Sequence, residues 1–580
     1  MRLVFEICGL LSAADRMKYA VVLGIRVLLV GFDLAGVACM GLTMSLITNV
    51  AVSETSLTFK VIDVFNNIGF TNVALAVAGM SASFFMAKGI ASVALNRLVG
   101  RFVARIEYEQ ASKRFQGFIT SGLGPLSKYG EKDFIHALTG SSNMAFSQPL
   151  LAFSVVFGEA LLLIGLAVFL MLTNLFMFTI LATFFTLFGF SLSRLVNHRT
   201  RKFSQSLEDS SLATTSHILD SVHVMREVQI GGLTGGFQER FFQHKKEQAL
   251  ATSEMMLLGF MPRYLTEIAL MVGLAFIILL RSVGLLQEFS PAQMAIFAGG
   301  AFRLIASMLP LQAAFSTLQR CGVESRLALE LPLPGEGGSK PSVAPPKSWE
   351  IEFRHVYFRY EKSDVMVLKD ATVSIGEGAK VAITGKSGAG KSTFADLLMG
   401  LRSPESGELL IGGLDSRAFI QEFPGAVAYM PQRTFLIDGT LLENISLDLT
   451  GRIDQSLRTK CEYLIKRVGL EGLLTDLPQG LDTPIGGTNV QLSGGQTQRI
   501  GLCRALLHSP KILLIDEGTS ALDKDAEIDV LSLISELDES ITAILIAHSK
   551  TVLSAVENVL HLHNAVLSMK PAAEVQEDEL

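Results

Sequence analysis

Long apolar runs alternate with long charged ones over the first 320 residues, and short β-rich runs replace them after residue 348. Apolar stretches lie near 20–49, 71–96, 149–172, 175–196, 265–286 and 292–318. Each is long enough as a helix to cross about 30 Å of hydrocarbon, which takes about 20 residues. The run VFGEALLLIGLAVFLMLTNLFMFTILATFFTLFGF offers water no polar face, so buried helices of a soluble protein do not account for it. The pattern predicts six membrane helices, the third and fourth joined by a very short turn.

Lys and Arg set the orientation of these helices. They gather in 97–132 (Arg97, Arg101, Arg105, Lys113, Arg114, Lys128, Lys132) and in 194–246 (Arg194, Arg199, Arg201, Lys202, Arg226, Arg240, Lys245, Lys246), which places both segments in the cytoplasm. The connections near 50–70, 173–174 and 287–291 are almost free of them and are expected outside, with both termini cytoplasmic. The two basic segments contain few helix breakers, so they are expected to continue the membrane helices into the cytoplasm. Breaks at Ser121–Pro125 and Gly231–Gly236 allow short crosswise helices at the tips.

Ionisable residues inside an apolar span are candidate functional groups. Arg26 and Asp33 stand seven apart on one helix face, where an internal pair is expected; Glu159, Glu267 and Arg303 occupy other spans. Snorkelling ends or structural pairs are the plainer reading of each. Arg26, Asp33 and Arg303 are taken as candidates for a substrate cavity.

Composition adds little except by exclusion. A net charge of -6 over 580 residues gives no argument for a nucleic-acid partner, and none is expected. Five scattered cysteines without a CxxC spacing suggest neither a disulfide framework nor zinc. The N-terminal MRLVFEICGLLSAADRMKY has a short apolar run and acidic residues, unlike a cleaved signal peptide, so the apolar stretch after it is expected to be a retained span.

The resulting layout is an all-α transmembrane domain of six spans over 1–330, a Pro/Gly/Ser-rich linker at 331–348, an α/β domain over 349–567 and an acidic tail at 568–580. In the third part, VAITGKSGAGKSTFADLLMG fits G-x-x-x-x-G-K-[ST] between a strand and a helix. The loop Gly385-Lys386-Ser387-Gly388-Ala389-Gly390-Lys391-Ser392-Thr393 can close its N–H groups around phosphates. Lys391 reaches the outer phosphates, and the Ser392 hydroxyl suits Mg2+. KILLIDE puts Asp516 and Glu517 at a strand end, where Asp516 can hold the Mg2+ shell and Glu517 can polarise an attacking water. TAILIAH brings His548 to the same sheet edge.

GKSGAGKST, LSGGQ at Leu492–Gln496, ILLIDE and SALD at Ser520–Asp523, in that order, resemble the nucleotide-binding domain of ABC transporters. With six preceding spans the chain is similar to an exporter half-transporter along nearly its whole length. The resemblance implies ATP and Mg2+ as cofactors, an adenine-stacking role for Tyr360, a Q-loop role for Gln432 that includes Mg2+, a D-loop role for Asp523 and a γ-phosphate contact for His548. It also implies a dimer, most simply a homodimer, closing head to tail, in which Ser493, Gly494, Gly495 and Gln496 of one chain complete the ATP site of the other. Two departures stand out: Ile485–Asn489 lacks at Gly487 the acidic residue expected to contact coupling helices, and Ser549 follows His548 where Arg is common.

ATP-driven export or flipping across the cytoplasmic membrane, a translocating ATPase activity, is the function expected, with an ATP-gated channel or regulator as the alternative class. REVQIGGLTGGFQERFF and MPRYLTEIAL are similar to flippases for lipid-linked oligosaccharides and to polysaccharide exporters, which makes a lipid-linked oligosaccharide or polysaccharide-related lipid the substrate expected first. About 18 residues precede the first span, too few for a peptidase domain, which disfavours maturation-coupled peptide export. Other lipids, drugs and peptides are the remaining alternatives.

Overall fold

The computed structural model describes residues 2–47, 73–120, 124–173, 175–283, 291–333, 344–360, 363–451, 454–487, 489–516, 524–536, 538–546, 550–553 and 555–574. It forms two compact units, one of Met1–Thr120 with Pro125–Pro334 and one built on Gly335–Leu580.

The first unit is helical. Its long helices are α1 (Ala13–Ile47), α2 (Val73–Thr120), α3 (Gln148–Thr173), α4 (Leu175–His223), α5 (Thr234–Ser282) and α6 (Pro291–Glu324). At 1.5 Å per residue, the 48 or 49 residues of α2, α4 and α5 extend about 70 Å, more than twice the hydrocarbon thickness. The charged segments therefore do continue the apolar ones as single helices.

Among the described residues four stretches are long and apolar enough to cross a membrane: Ala13–Met40, Val73–Thr120, Asn143–Leu172 and Thr234–Gly273. Phe178–Ser191 in α4 is a shorter apolar stretch, and the stretch expected at 292–318 lies in α6. The expected outer connections at 50–70 and 287–290 fall outside the described residues.

Short helices stand where the glycine breaks were read. Gly124–Thr139 follows α2, and Met225–Ile230 lies between α4 and α5. The second closes in a Schellman turn, with Leu233 N donating to Val228 O and Gly232 N to Gln229 O at φ +65, a conformation that costs glycine little. Where α1 and α2 meet α3, Tyr19, Val22 and Leu29 pack with Leu95, Val99 and Leu150, and Tyr19 Oη donates to Leu150 O at 2.7 Å.

The second unit is α/β. Strands β1 (Ile351–Arg359), β2 (Met366–Ile375), β4 (Ser406–Ile411) and β5 (Leu414–Asp415) make an antiparallel sheet in the order β2-β1-β4-β5. A second sheet has the order β10-β9-β3-β8-β7-β6, from β3 (Lys380–Thr384), β6 (Val427–Met430), β7 (Ile512–Asp516), β8 (Thr542–Ile546), β9 (Asn558–His563) and β10 (Val566–Pro571). All its pairings are parallel except β9 with β10. The central strands KVAIT, ILLID and TAILI are apolar almost throughout because both faces are covered. One core lies between this sheet and the antiparallel one, around Phe353, Phe394 and Phe419; the other lies beneath the helix carrying the LSGGQ segment, around Leu441, Ile500 and Leu513.

Candidate functional site

Parallel pairing brings the C-terminal ends of β3, β8, β7 and β6 to one edge. Ile546 is level with both Ile383 and Asp516, and Met430 with Ile515. The phosphate-loop motif, Asp516 and Gln432 therefore emerge side by side, the arrangement in which open α/β sheets bind ligands.

The loop between β3 and helix α7 (Lys391–Leu398) owes its shape to glycine. Gly385 has φ +147, and a Cβ there would lie 2.4 Å from Leu562 O; Gly390 has φ +112, and a Cβ would lie 2.5 Å from Val367 Cγ1. Gly388 also has a positive φ, with open space around it, and Ala389 N donates to Lys386 O across the turn. Buried Lys391 donates its Nζ to Gly385 O at 2.7 Å, so the ammonium is held inside the loop. Ser392 stands exposed at the helix start, and Ser387 is on the exposed rim. The arrangement can surround an anion with N–H dipoles, a helix N-terminus and one ammonium.

Tyr360 is anchored to this loop. Its hydroxyl shares a 2.8 Å hydrogen bond with Thr393 Oγ1, its ring meets Phe358 edge-on, and the Arg402 guanidinium lies 4.8 Å over its centroid. Asp396 in turn holds Arg402 at 3.0 Å.

At the strand ends, Tyr429 Oη donates to Asp516 Oδ2 at 3.1 Å, and burial together with that carboxylate pushes the phenol pKa upward. Sequence reasoning does not single out Tyr429; its place three residues before Gln432 on a strand is the signal that could have found it. Gln432 is exposed, and its carbonyl lies 3.5 Å from the Gln498 amide. Glu517, Asp523 and His548, and Ser549 with them, lie outside the described residues.

Ser493 caps helix α8 (Gly494–Leu506). Gln496 N donates to Ser493 Oγ while Ser493 N donates to Gln496 Oε1, a reciprocal capping box. Gln496 is thus used inside its own helix start, whereas Ser493 and Gly494 are exposed and Gly494 has open space around it. Beside Gly487, where the sequence lacks an acid, Asp438 comes alongside: it accepts from Asn489 Nδ2 at 2.8 Å and would meet a Cβ at Gly487 at 3.3 Å.

Inside the helical unit, Arg26 and Asp33 do not pair as expected. Seven residues of helix separate them by about 10.5 Å along the axis, too far for direct contact. Asp33 instead holds Lys88 of α2 at 2.9 Å and Arg303 of α6 at 2.6 Å. Arg26 Nη2 donates to Asn96 Oδ1 at 3.0 Å and lies 3.3 Å from Ser154 Oγ, and Glu159 accepts from Ser307. Lys88 is a further member that the sequence could have disclosed, since a lysine in an apolar span signals itself. Glu267 is elsewhere, exposed and paired with Arg263 at 3.1 Å.

Residues 368–520 match the ABC transporter family. The chain is 28% identical over 373 residues to the ATP-dependent lipid A-core flippase of Photobacterium profundum, covering 63% of each chain. It is 27% identical over 383 residues to that of Escherichia coli (strain K12), covering 64% of each. The matches thus span just under two thirds of the length of these curated relatives. Its fold is similar to that of a bacterial Atm1-family ABC exporter solved with ATP bound, at a TM-score of 0.75 and 20% identity, covering 97% of this chain and 96% of that one. Apolar helices long enough to cross a membrane, a phosphate loop and an exposed LSGGQ helix start thus occur in one chain, which matches the ABC transporter family at residues 368–520 and shares the fold of an ABC exporter.

Proposed function

We propose that two copies of the chain form an ATP-driven exporter that moves an amphipathic lipid across the cell membrane. The observation that carries this reading is the exposed, capped LSGGQ helix start at Ser493, in a chain whose sequence holds a single LSGGQ segment and a single phosphate loop. One chain supplies half of each shared site, so two chains are needed for either to be complete. A homodimer is the simplest assembly, with both termini in the cytoplasm and domain limits at the 331–348 linker.

In this reading the 385–393 loop holds the ATP phosphates, Tyr360 stacks on adenine, and Ser493, Gly494, Gly495 and Gln496 reach the nucleotide of the other chain. Mg2+ fits the donors at the strand ends, since the Ser392 hydroxyl, the Gln432 amide oxygen and the Asp516 carboxylate are all hard oxygen ligands. Glu517 orients the attacking water, and His548 and Asp523 border the γ-phosphate. When bound, Mg2+ neutralises charge on the phosphates.

The lipid class is supported by the flippase relatives, and a lipid-linked oligosaccharide or polysaccharide-related lipid is the specific candidate to try first. The test is transport in proteoliposomes, with ATPase turnover followed alongside and Glu517→Gln as the hydrolysis-deficient control. ATP-dependent movement of a lipid that also stimulates turnover is the expected result. ATP-dependent ion conductance without vectorial lipid movement would sink the exporter reading in favour of a channel.

A further inference from the structure

The charged groups of the helical unit border a cavity of about 200 Å³ lined by Arg26, Asp33, Lys88, Asn96 and Glu159 among others. Taking about 30 Å³ for a water-sized group, it has room for six or seven such groups. That suits one phosphodiester or carboxylate with a hydroxyl beside it; an oligosaccharide would have to remain outside.

The charges around it do not balance. Arg26, Lys88 and Arg303 stand against Asp33 and Glu159, leaving one positive charge. Lys88 and Arg303 both pair directly with Asp33, whereas Glu159, the carboxylate that acts on Arg26 through space, accepts its hydrogen bond from Ser307, so Arg26 has no direct ion pair. The two groups that meet it, Asn96 Oδ1 and Ser154 Oγ, are neutral and both engage Nη2, while Nε is buried without a hydrogen-bond partner. Among the described residues no carboxylate oxygen lies within 4.0 Å of it. A guanidinium without a direct ion pair in a membrane interior is costly, and a monoanion offering two oxygens would pair it in the favoured bidentate way. On the other side, Asp33 Oδ1 is buried and also lacks a hydrogen-bond partner, an acceptor placed for a hydroxyl. Gly158 makes room for Arg26, since a Cβ there would lie 3.0 Å from Arg26 Cδ.

We infer that this cavity seats a single monoanionic group, a phosphodiester or carboxylate with an adjacent hydroxyl, with Arg26 contacting the anion and Asp33 Oδ1 accepting from the hydroxyl. The inference rests on the export reading in taking this group as the head of the transported amphiphile.

The test uses the purified full-length protein in neutral alkyl maltoside micelles, titrated with phosphatidylglycerol, with its free head group glycerophosphoglycerol, or with uncharged diacylglycerol. Binding is read as saturable thermal stabilisation and as ATPase stimulation. Phosphatidylglycerol is expected to bind and diacylglycerol not to. Arg26→Gln should weaken phosphatidylglycerol binding about tenfold or more, as loss of a buried charge partner does, with Arg26→Lys recovering most of it. Gly158→Ala should weaken it several-fold, and it carries the test if Arg26→Gln is not monodisperse. Equal binding of glycerophosphoglycerol would support the site with a soluble anion as its source. Equal binding of diacylglycerol, or unchanged affinity in both variants, would overturn it. If vesicle transport failed for every lipid while Arg26-dependent binding persisted, the export reading would fall and the anion site would stand.

Discussion

Tyr360 and Thr393 share a 2.8 Å hydrogen bond that ties the candidate adenine platform directly to the helix behind the phosphate loop. Ring and loop are thereby set by one contact, with Arg402 covering the ring at 4.8 Å. A neutral hydrogen bond of this kind is worth about 1 kcal/mol. Thr393→Val, nearly the same in volume, should therefore weaken ATP binding by about fivefold, and Tyr360→Phe by a similar amount. The double variant should be little worse than either alone. Fluorescent-nucleotide titration measures all three, and fully additive losses would show that the contact does not position the ring.

The proposed shared site predicts a particular pattern in mixed dimers. Lys391→Ala in one chain and Ser493→Arg in the other put both lesions in the same composite site and leave the second intact. Such a dimer should bind one nucleotide of the expected two and retain measurable turnover, whereas dimers carrying either change in both chains should lose turnover by about a hundredfold or more. Nucleotide stoichiometry on tagged, doubly purified dimers measures this. Two equally impaired sites would contradict head-to-tail closure.

How much of this was legible in the sequence depends on how local the determinant was. The phosphate loop was readable because its glycines answer to backbone conformation, seen in the positive φ of Gly385 and Gly390, and to contacts no Cβ tolerates. The long helices were readable from apolar length followed by charge. Pairings between helices were not: spacing placed Arg26 and Asp33 on one face, but their partners come from α2, α3 and α6. The same holds for Asp438, which lies far from Gly487 in sequence and becomes its neighbour only through the fold. Tyr429 needed the register of β6 on β7 before its hydroxyl could be assigned to Asp516.

Asp33 is the single acceptor for two cations inside the helical unit, and its side chain is only 3% exposed. Removing its charge deprives Lys88 and Arg303 of the carboxylate that pairs them directly, in a poorly solvated place. Asp33→Asn should cost about 3–5 kcal/mol, the range found when one partner of a buried pair is lost. The triple replacement Asp33→Asn, Lys88→Met, Arg303→Met should recover much of the loss, because no charge is then left stranded. Thermal unfolding in micelles reports both, and a single variant as stable as the parent would show that the pairs are solvated.

Stability of the helical unit should fall as pH rises from mildly acidic to alkaline values. His136 Nε2 lies 3.0 Å from Glu208 Oε1, and that hydrogen bond holds its imidazolium above the ordinary histidine value of 6.5. Burial raises Glu324 above its ordinary 4.5, with Arg320 opposing at 3.2 Å. In both cases the folded state holds its proton more tightly than the unfolded chain, so the linkage has the same sign and stability declines with increasing pH. Glu324 contributes the decline that begins above about 4.5 and His136 the one that begins above about 6.5. Helical melting followed by circular dichroism between pH 5 and 9 should show a midpoint falling toward the alkaline end, and His136→Gln should flatten the part above neutrality while leaving the lower part in place. A parent midpoint that rises toward alkaline pH, or a slope unchanged by His136→Gln, would remove this pair as the source of the pH dependence.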